Sequence, residues 1–288
     1  AHAGVEDLTL SPDGTVLVER VGREWIYFFE TATGRLIRRV EFPVKVSRDD
    51  ESRGSPAFTP DGKAVLYGVP QGQLPLHEVN VSTGQIRPVR LPPNAEFASI
   101  TPDAAYALLK SPLSPTCFRL QLYDLRARGP VGVSFEFSGR RGETLQYSLS
   151  PDGRSLLTEA FNQNGGETRC EVRDWRTGES TALGSVPGTV SARAFTGDGK
   201  GLILATGTEA RRFDLSGRNR GARQTTRYVS PFSSDLEKVI LSPDERQVLA
   251  CGQDGVILIW DARSGESLRN WNTWTYGLTD LDFTPDGK

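Results

Sequence analysis

Val239-Ile240-Leu241-Ser242-Pro243-Asp244-Glu245-Arg246-Gln247-Val248-Leu249-Ala250 joins two apolar runs through a four-residue turn. Its signature recurs along the chain. The other copies are Ser11-Pro12-Asp13-Gly14, Thr59-Pro60-Asp61-Gly62, Thr101-Pro102-Asp103-Ala104, Ser150-Pro151-Asp152-Gly153, Thr196-Gly197-Asp198-Gly199 and Thr284-Pro285-Asp286-Gly287. Successive copies start 48, 42, 49, 46, 46 and 42 residues apart. That period suits the blades of a propeller and exceeds that of leucine-rich or ankyrin repeats. Proline presets φ at the first turn position, Asp can bond nearby backbone, and Gly tolerates positive φ. Strand, tight turn and strand make a hairpin.

A second mark falls at the end of each third strand. It pairs an apolar residue with an acid or amide, as in Phe29-Glu30, Val79-Asn80, Tyr123-Asp124, Phe213-Asp214 and Trp260-Asp261. Arg173-Asp174 departs from it in the fourth repeat. Small turns such as Thr33-Gly34, Thr83-Gly84, Thr177-Gly178 and Ser264-Gly265 follow, and then a more polar strand such as 35–42. The repeat unit is therefore four strands and three reversals. The chain reads as an all-β, seven-bladed propeller of four-stranded antiparallel blades, forming one domain over 1–288. Six blades are full, from about residue 5 to 272. The seventh has only its first strand, 278–283, so its last blade is incomplete. A lone innermost strand leaves an unpaired edge, and a propeller protects its edges. The reading therefore expects a longer parent chain, with roughly 30 further residues completing the ring.

In the sixth repeat, Leu241-Ser242-Pro243-Asp244, Cys251-Gly252-Gln253-Asp254-Gly255 and Ile257-Leu258-Ile259-Trp260-Asp261 resemble the WD-repeat (Trp-Asp repeat) family. The resemblance extends over the chain as a divergent member of bacterial type, and His2-Ala3-Gly4 loosely matches the segment that opens such repeats. In the family a His, a Ser or Thr, a turn Asp and the Trp form a buried hydrogen-bonded tetrad. Asp254 and Trp260 match two of those places, and Cys251 stands where Ser or Thr is expected. The resemblance implies a non-catalytic scaffold that binds a protein or peptide partner through its rim loops, as one module among other domains of its parent chain. The same turns also resemble the substrate-gating propellers of prolyl-oligopeptidase-like hydrolases and TolB-like periplasmic propellers, which is the alternative reading.

Composition sets outer bounds. The chain has 288 residues, 37% hydrophobic and 24% charged, and its 30 glycines and 18 prolines imply frequent reversals. A formal net charge of -2 gives no global attraction to nucleic acid. No apolar run reaches the length of a membrane-spanning helix, so membrane insertion is not expected. His2 and His77 stand far apart, and Cys117, Cys170 and Cys251 form no CxxC pair, so neither a metal nor any other cofactor is expected. No Gly-x-Ser-x-Gly elbow and no phosphate loop before a helix occurs, so no catalytic residue is proposed. His77 shares strand parity with Val79, which points it at a blade interface.

Two features rise above this background. Trp271, Trp274 and Tyr276 lie between the sixth and seventh repeats, where aromatic side chains serve as interface anchors. They share a rim with the longer connections 45–55, 111–117 and 161–168. Arg211, Arg212, Arg218, Arg220, Arg223 and Arg227 crowd the fifth repeat, with Glu209 and Asp214 as the only acids over 209–228. Arginine can fork onto carboxylates or phosphates, so an acidic partner or a nucleic acid is open here. Trp271, Trp274, Tyr276, Arg218, Arg220, Arg223 and Arg227 are thus the candidate partner-binding residues.

Overall fold

A computed structural model describes residues 5–21, 25–42, 56–69, 74–114, 117–138, 143–162, 166–217, 221–252, 254–273, 278, 281 and 283. Every regular element among them is a strand. The chain divides into two compact units, Ala1–Ser138 and Gly139–Lys288.

The first unit holds three antiparallel sheets. One is β1 (Val5–Leu10), β2 (Val16–Val21), β3 (Trp25–Glu30) and β4 (Leu36–Glu41). The next is β5 (Ala57–Phe58), β6 (Ala64–Val69), β7 (Leu74–Asn80) and β8 (Ile86–Pro88). The third is β9 (Glu96–Ile100), β10 (Tyr106–Ser114), β11 (Cys117–Asp124) and β12 (Gly129–Ser138). The second unit repeats the plan. Its sheets are β13 (Glu143–Leu149), β14 (Ser155–Asn162), β15 (Glu167–Asp174) and β16 (Ser180–Pro187); β17 (Val190–Phe195), β18 (Gly201–Thr206), β19 (Glu209–Asp214) and β20 (Arg223–Val229); and β21 (Leu236–Leu241), β22 (Gln247–Gly252), β23 (Val256–Asp261) and β24 (Ser267–Asn272).

These are propeller blades of four antiparallel strands in sequence order, as expected, but the described residues hold six of them and not seven. Of the seventh segment only Leu278, Leu281 and Phe283 are described, and none lies in a strand. They cover Leu249, Cys251 and Ile257 on one face of the sixth blade. No ladder pairs them with a strand among the described residues.

The first turn of each blade is built on a hydroxyl as much as on proline and glycine. Ser150 Oγ donates to Asp152 Oδ1 (2.6 Å) and accepts from the Ser155 amide (2.9 Å). Asp152 Oδ1 also accepts from the Arg154 amide (3.0 Å). The same triangle forms at Ser11, Thr59, Thr101, Thr196 and Ser242. At the fourth turn position Ala104 and Glu245 hold φ of 52° and 56°, where the other four blades use glycine. The acid ending the third strand caps the next turn. Asp261 Oδ1 accepts from the amides of Arg263 and Ser264, and Asp174 Oδ1 from those of Arg176 and Thr177.

Within each unit the core lies in seams between consecutive sheets, and it draws most on second strands and little on fourth strands. β18 is buried throughout, and β24 is exposed throughout. Val18, Ile26 and Phe28 pack on Val65, Tyr67 and Val79 in the first unit. Ala205, Ala210 and Tyr228 pack on Val239, Leu258 and Trp260 in the second. Two of the expected rim loops are largely strand. β10 and β11 continue pairing out to Ser114↔Cys117, and β14 and β15 extend to Asn162 and from Glu167. Backbone groups there are satisfied by the ladder instead of by water.

Candidate functional site

Of the aromatic trio, Trp271 is described and Trp274 and Tyr276 lie outside the described residues. Trp271 sits opposite Ile257 near the β22–β23 turn and is 44% exposed. Leu268 on the same strand is 49% exposed. Leu268 and Arg269 line a shallow cleft with Ile259 and Gln247. An outermost strand carrying Trp and Leu in water is an apolar edge of the kind that marks contact surfaces.

Arg218 and Arg220 also lie outside the described residues. Arg223 and Arg227 are exposed on β20, but the group is less open than its sequence suggests. Arg227 is ion-paired to Glu209, with Nε 2.9 Å from Oε2. Arg211 Nη2 reaches the same carboxylate at 3.1 Å. The two guanidiniums hold the Glu209 carboxyl below the usual glutamate range, Arg227 contributing most. Arg212 donates through Nη1 to the Ala262 carbonyl of the sixth blade (3.4 Å). Arg223 lies opposite Asp214 at the β19–β20 turn. Trp271 therefore stands at the β22–β23 end of its sheet, and Arg223 at the β19–β20 end of its own. The structure does not join them into one patch.

A cleft of about 600 Å³ opens between the fifth and sixth blades. Lys200, Arg212, Asp214, Thr226, Glu245 and Arg263 line it with mixed charge. Its polar groups are tied to each other: Glu245 accepts from the Gly197 amide (2.8 Å), and Asp214 from the Ser216 amide and hydroxyl (2.8 and 2.6 Å).

His77 is half-buried, with Nδ1 2.5 Å from the Pro75 carbonyl and its ring edge-on to Phe42 at 6.0 Å. Phe42 belongs to the core between the first two sheets, so His77 does face that seam. In the sixth blade Asp254 Oδ1 accepts from the Val256 amide (3.2 Å), and the Cys251 thiol donates to the Leu278 carbonyl (3.7 Å). Among the described residues no three His, Cys, Asp or Glu side chains are placed to hold a metal ion.

Sequence reasoning missed two buried groups. Trp175 is fully buried immediately after Asp174, so the fourth blade has its large aromatic two places beyond the expected one. Glu159 is buried in mid-strand. Strand alternation around it is blurred by Thr158, which is also buried, so nothing in the pattern marks it.

Residues 229–261 match the family model described as WD domain, G-beta repeat. That span covers the sixth blade from the end of β20 to the end of β23. The human Angio-associated migratory cell protein is 23% identical over 189 residues, covering 59% of this chain and 40% of that protein. Its orthologues from Pongo abelii and Canis lupus familiaris match at the same identity and coverage. The chain thus spans about 40% of the length of these curated relatives.

Proposed function

From a chain of propeller blades that resembles the WD-repeat family, we propose a non-catalytic interaction platform, one module of a larger protein. Protein binding is the typical role of such domains, and fold alone does not assign more. The observation that carries the reading is β24, whose six residues are all exposed and include Trp271 and Leu268. A protein or peptide partner covering that strand would bury an aromatic anchor and could extend the sheet edge by backbone hydrogen bonds. The polar groups elsewhere support the reading. The turn aspartates, Glu209, Glu245 and Asp214 are each engaged in internal bonds.

The test is capture from extract of the native source, comparing the wild-type chain with Trp271→Ala, Trp274→Ala and Tyr276→Ala. A specific partner should be retained several-fold less by Trp271→Ala, with an unchanged melting temperature. Undiminished capture by all three variants would remove this rim from the proposal. Arg223→Glu in the same series asks whether the opposite end of the fifth blade contributes.

A further inference from the structure

The seam between the fourth and fifth blades is apolar except at one point. Leu157, Cys170, Val172 and Val186 meet Val190, Leu202, Leu204 and Phe213. Within that seam, on β14, Glu159 is 1% exposed. Arg193 comes from the neighbouring blade, on β17, and places Nε 3.0 Å from Glu159 Oε1. Its other two nitrogens also reach into the fourth blade. Nη1 donates to Ser148 Oγ (3.3 Å) and Nη2 to Gln146 Oε1 (3.2 Å), both on β13. Neither oxygen of Glu159 receives an aligned hydrogen bond from the described residues.

A buried carboxylate with charge compensation but no hydrogen bonds is poorly solvated. Burial pushes the Glu159 carboxyl above its ordinary 4.5, against the opposing pull of Arg193. The other titratable groups around it are few. Cys170 is opposite Glu159 on β15, and its thiol is pushed up to about 12, by burial first and by Glu159 second. Arg211 on β19 shares the sheet face of Arg193, since both lie opposite Leu204, but it is held by Glu209. Arg193 is therefore the cation that answers Glu159 among the described residues.

We propose that Glu159 and Arg193 form a proton-sensitive lock across this seam: ionised Glu159 holds the guanidinium inside the neighbouring blade, and protonation from solvent releases it. The sign follows from linkage. A carboxyl raised in the folded state contributes stability that is fully present below 4.5 and lost as pH rises through the raised value. Above that value the seam depends on Arg193, because an uncompensated buried charge is strongly unfavourable.

The experiment uses residues 1–288 with Arg193→Met, Glu159→Gln and the double variant, each melted at pH 8 and at pH 4, below the ordinary value of 4.5. Arg193→Met should melt several degrees below wild type at pH 8 and recover at least half of the deficit at pH 4. The double variant should recover it at pH 8. In wild type, the Arg193 Cζ resonance, assigned by its loss in Arg193→Met, should shift as Glu159 titrates, with a midpoint above 4.5. Glu159→Gln should abolish that pH dependence. If Arg193→Met does not fold at pH 8, its refolding on acidification supports the lock, and failure to refold overturns it. Equal deficits at both pH values without rescue, or an Arg193 resonance indifferent to pH, would reduce the pair to packing.

Discussion

Ser150 shows how much one hydroxyl does in each blade. It is fully buried, donates to Asp152 and accepts from the Ser155 amide. Ser150→Ala leaves that amide and one carboxylate lone pair without partners, so unfolding free energy should fall by about 1–3 kcal/mol. Ser150→Thr should stay near wild type, because Thr101 and Thr196 make the same bonds. Urea denaturation separates the two. The same hydroxyls set the acid response. Ser11 is the leading cause that holds the Asp13 carboxyl down to about 2 from 3.8, and Asp61, Asp198 and Asp244 are lowered too. Carboxyls lowered in the folded state contribute stability above their ordinary value that is lost as pH falls through the lowered one. Stability should therefore decline between pH 3.8 and about 2, and in Ser11→Ala the Asp13 carboxyl should titrate nearer 3.8 by carbon NMR. An unmoved titration would acquit the hydroxyl. The proline, aspartate and glycine of this turn were legible in the sequence through backbone chemistry. The hydroxyl was not, because Ser and Thr before a turn read equally well as solvated.

At the scale of elements, alternation and turn spacing located nearly every strand, since a strand half-buried in a seam must alternate. What spacing could not say is which residues cross a seam. Tyr228 on β20 is fully buried, tilts against Trp260 at 5.8 Å and donates to the Ala262 carbonyl of the next blade (2.6 Å). In the sequence Tyr228 stands among arginines that mark a polar strand, and its neighbours Arg223 and Arg227 are indeed in water. Tyr228→Phe keeps the ring and removes the bond, so it should cost about 1 kcal/mol, whereas Tyr228→Ala should cost several by opening a cavity. The cysteines sort by the same logic. Cys170 is buried in the seam of the fourth and fifth blades and Cys251 under Leu278, Leu281 and Phe283, and the Cys170 thiol is pushed up to about 12. Cys117, at the end of the β10–β11 hairpin, is partly exposed. Since the thiolate is the reactive form, a disulfide reagent should titrate one thiol quickly in the native protein and three in denaturant. Cys117→Ser should remove the fast phase.

At the scale of the molecule, repeated sheets that bury apolar surface only against their neighbours make stability a sum of seam terms. The burial map has this form: the described core falls into separate clusters within each unit. Ile26 belongs to the seam of the first two sheets, and Ile203 to that of the fifth and sixth; both are fully buried. Ile26→Val and Ile203→Val should each cost about 0.5–1.5 kcal/mol. With no cluster in common, the pair should cost the sum of the two to within about 0.5 kcal/mol. A contrast exists inside one seam. Tyr228 and Arg212 both donate to the Ala262 carbonyl, at 2.6 and 3.4 Å. Removing either donor leaves the other to satisfy that acceptor, so Tyr228→Phe with Arg212→Met should cost more than the two singles added. Chemical denaturation of the six variants tests both statements on one scale. Additivity within the shared seam and coupling between the separate ones would mean that stability is not distributed by seams, and the blade would then be the wrong unit in which to reason about this chain.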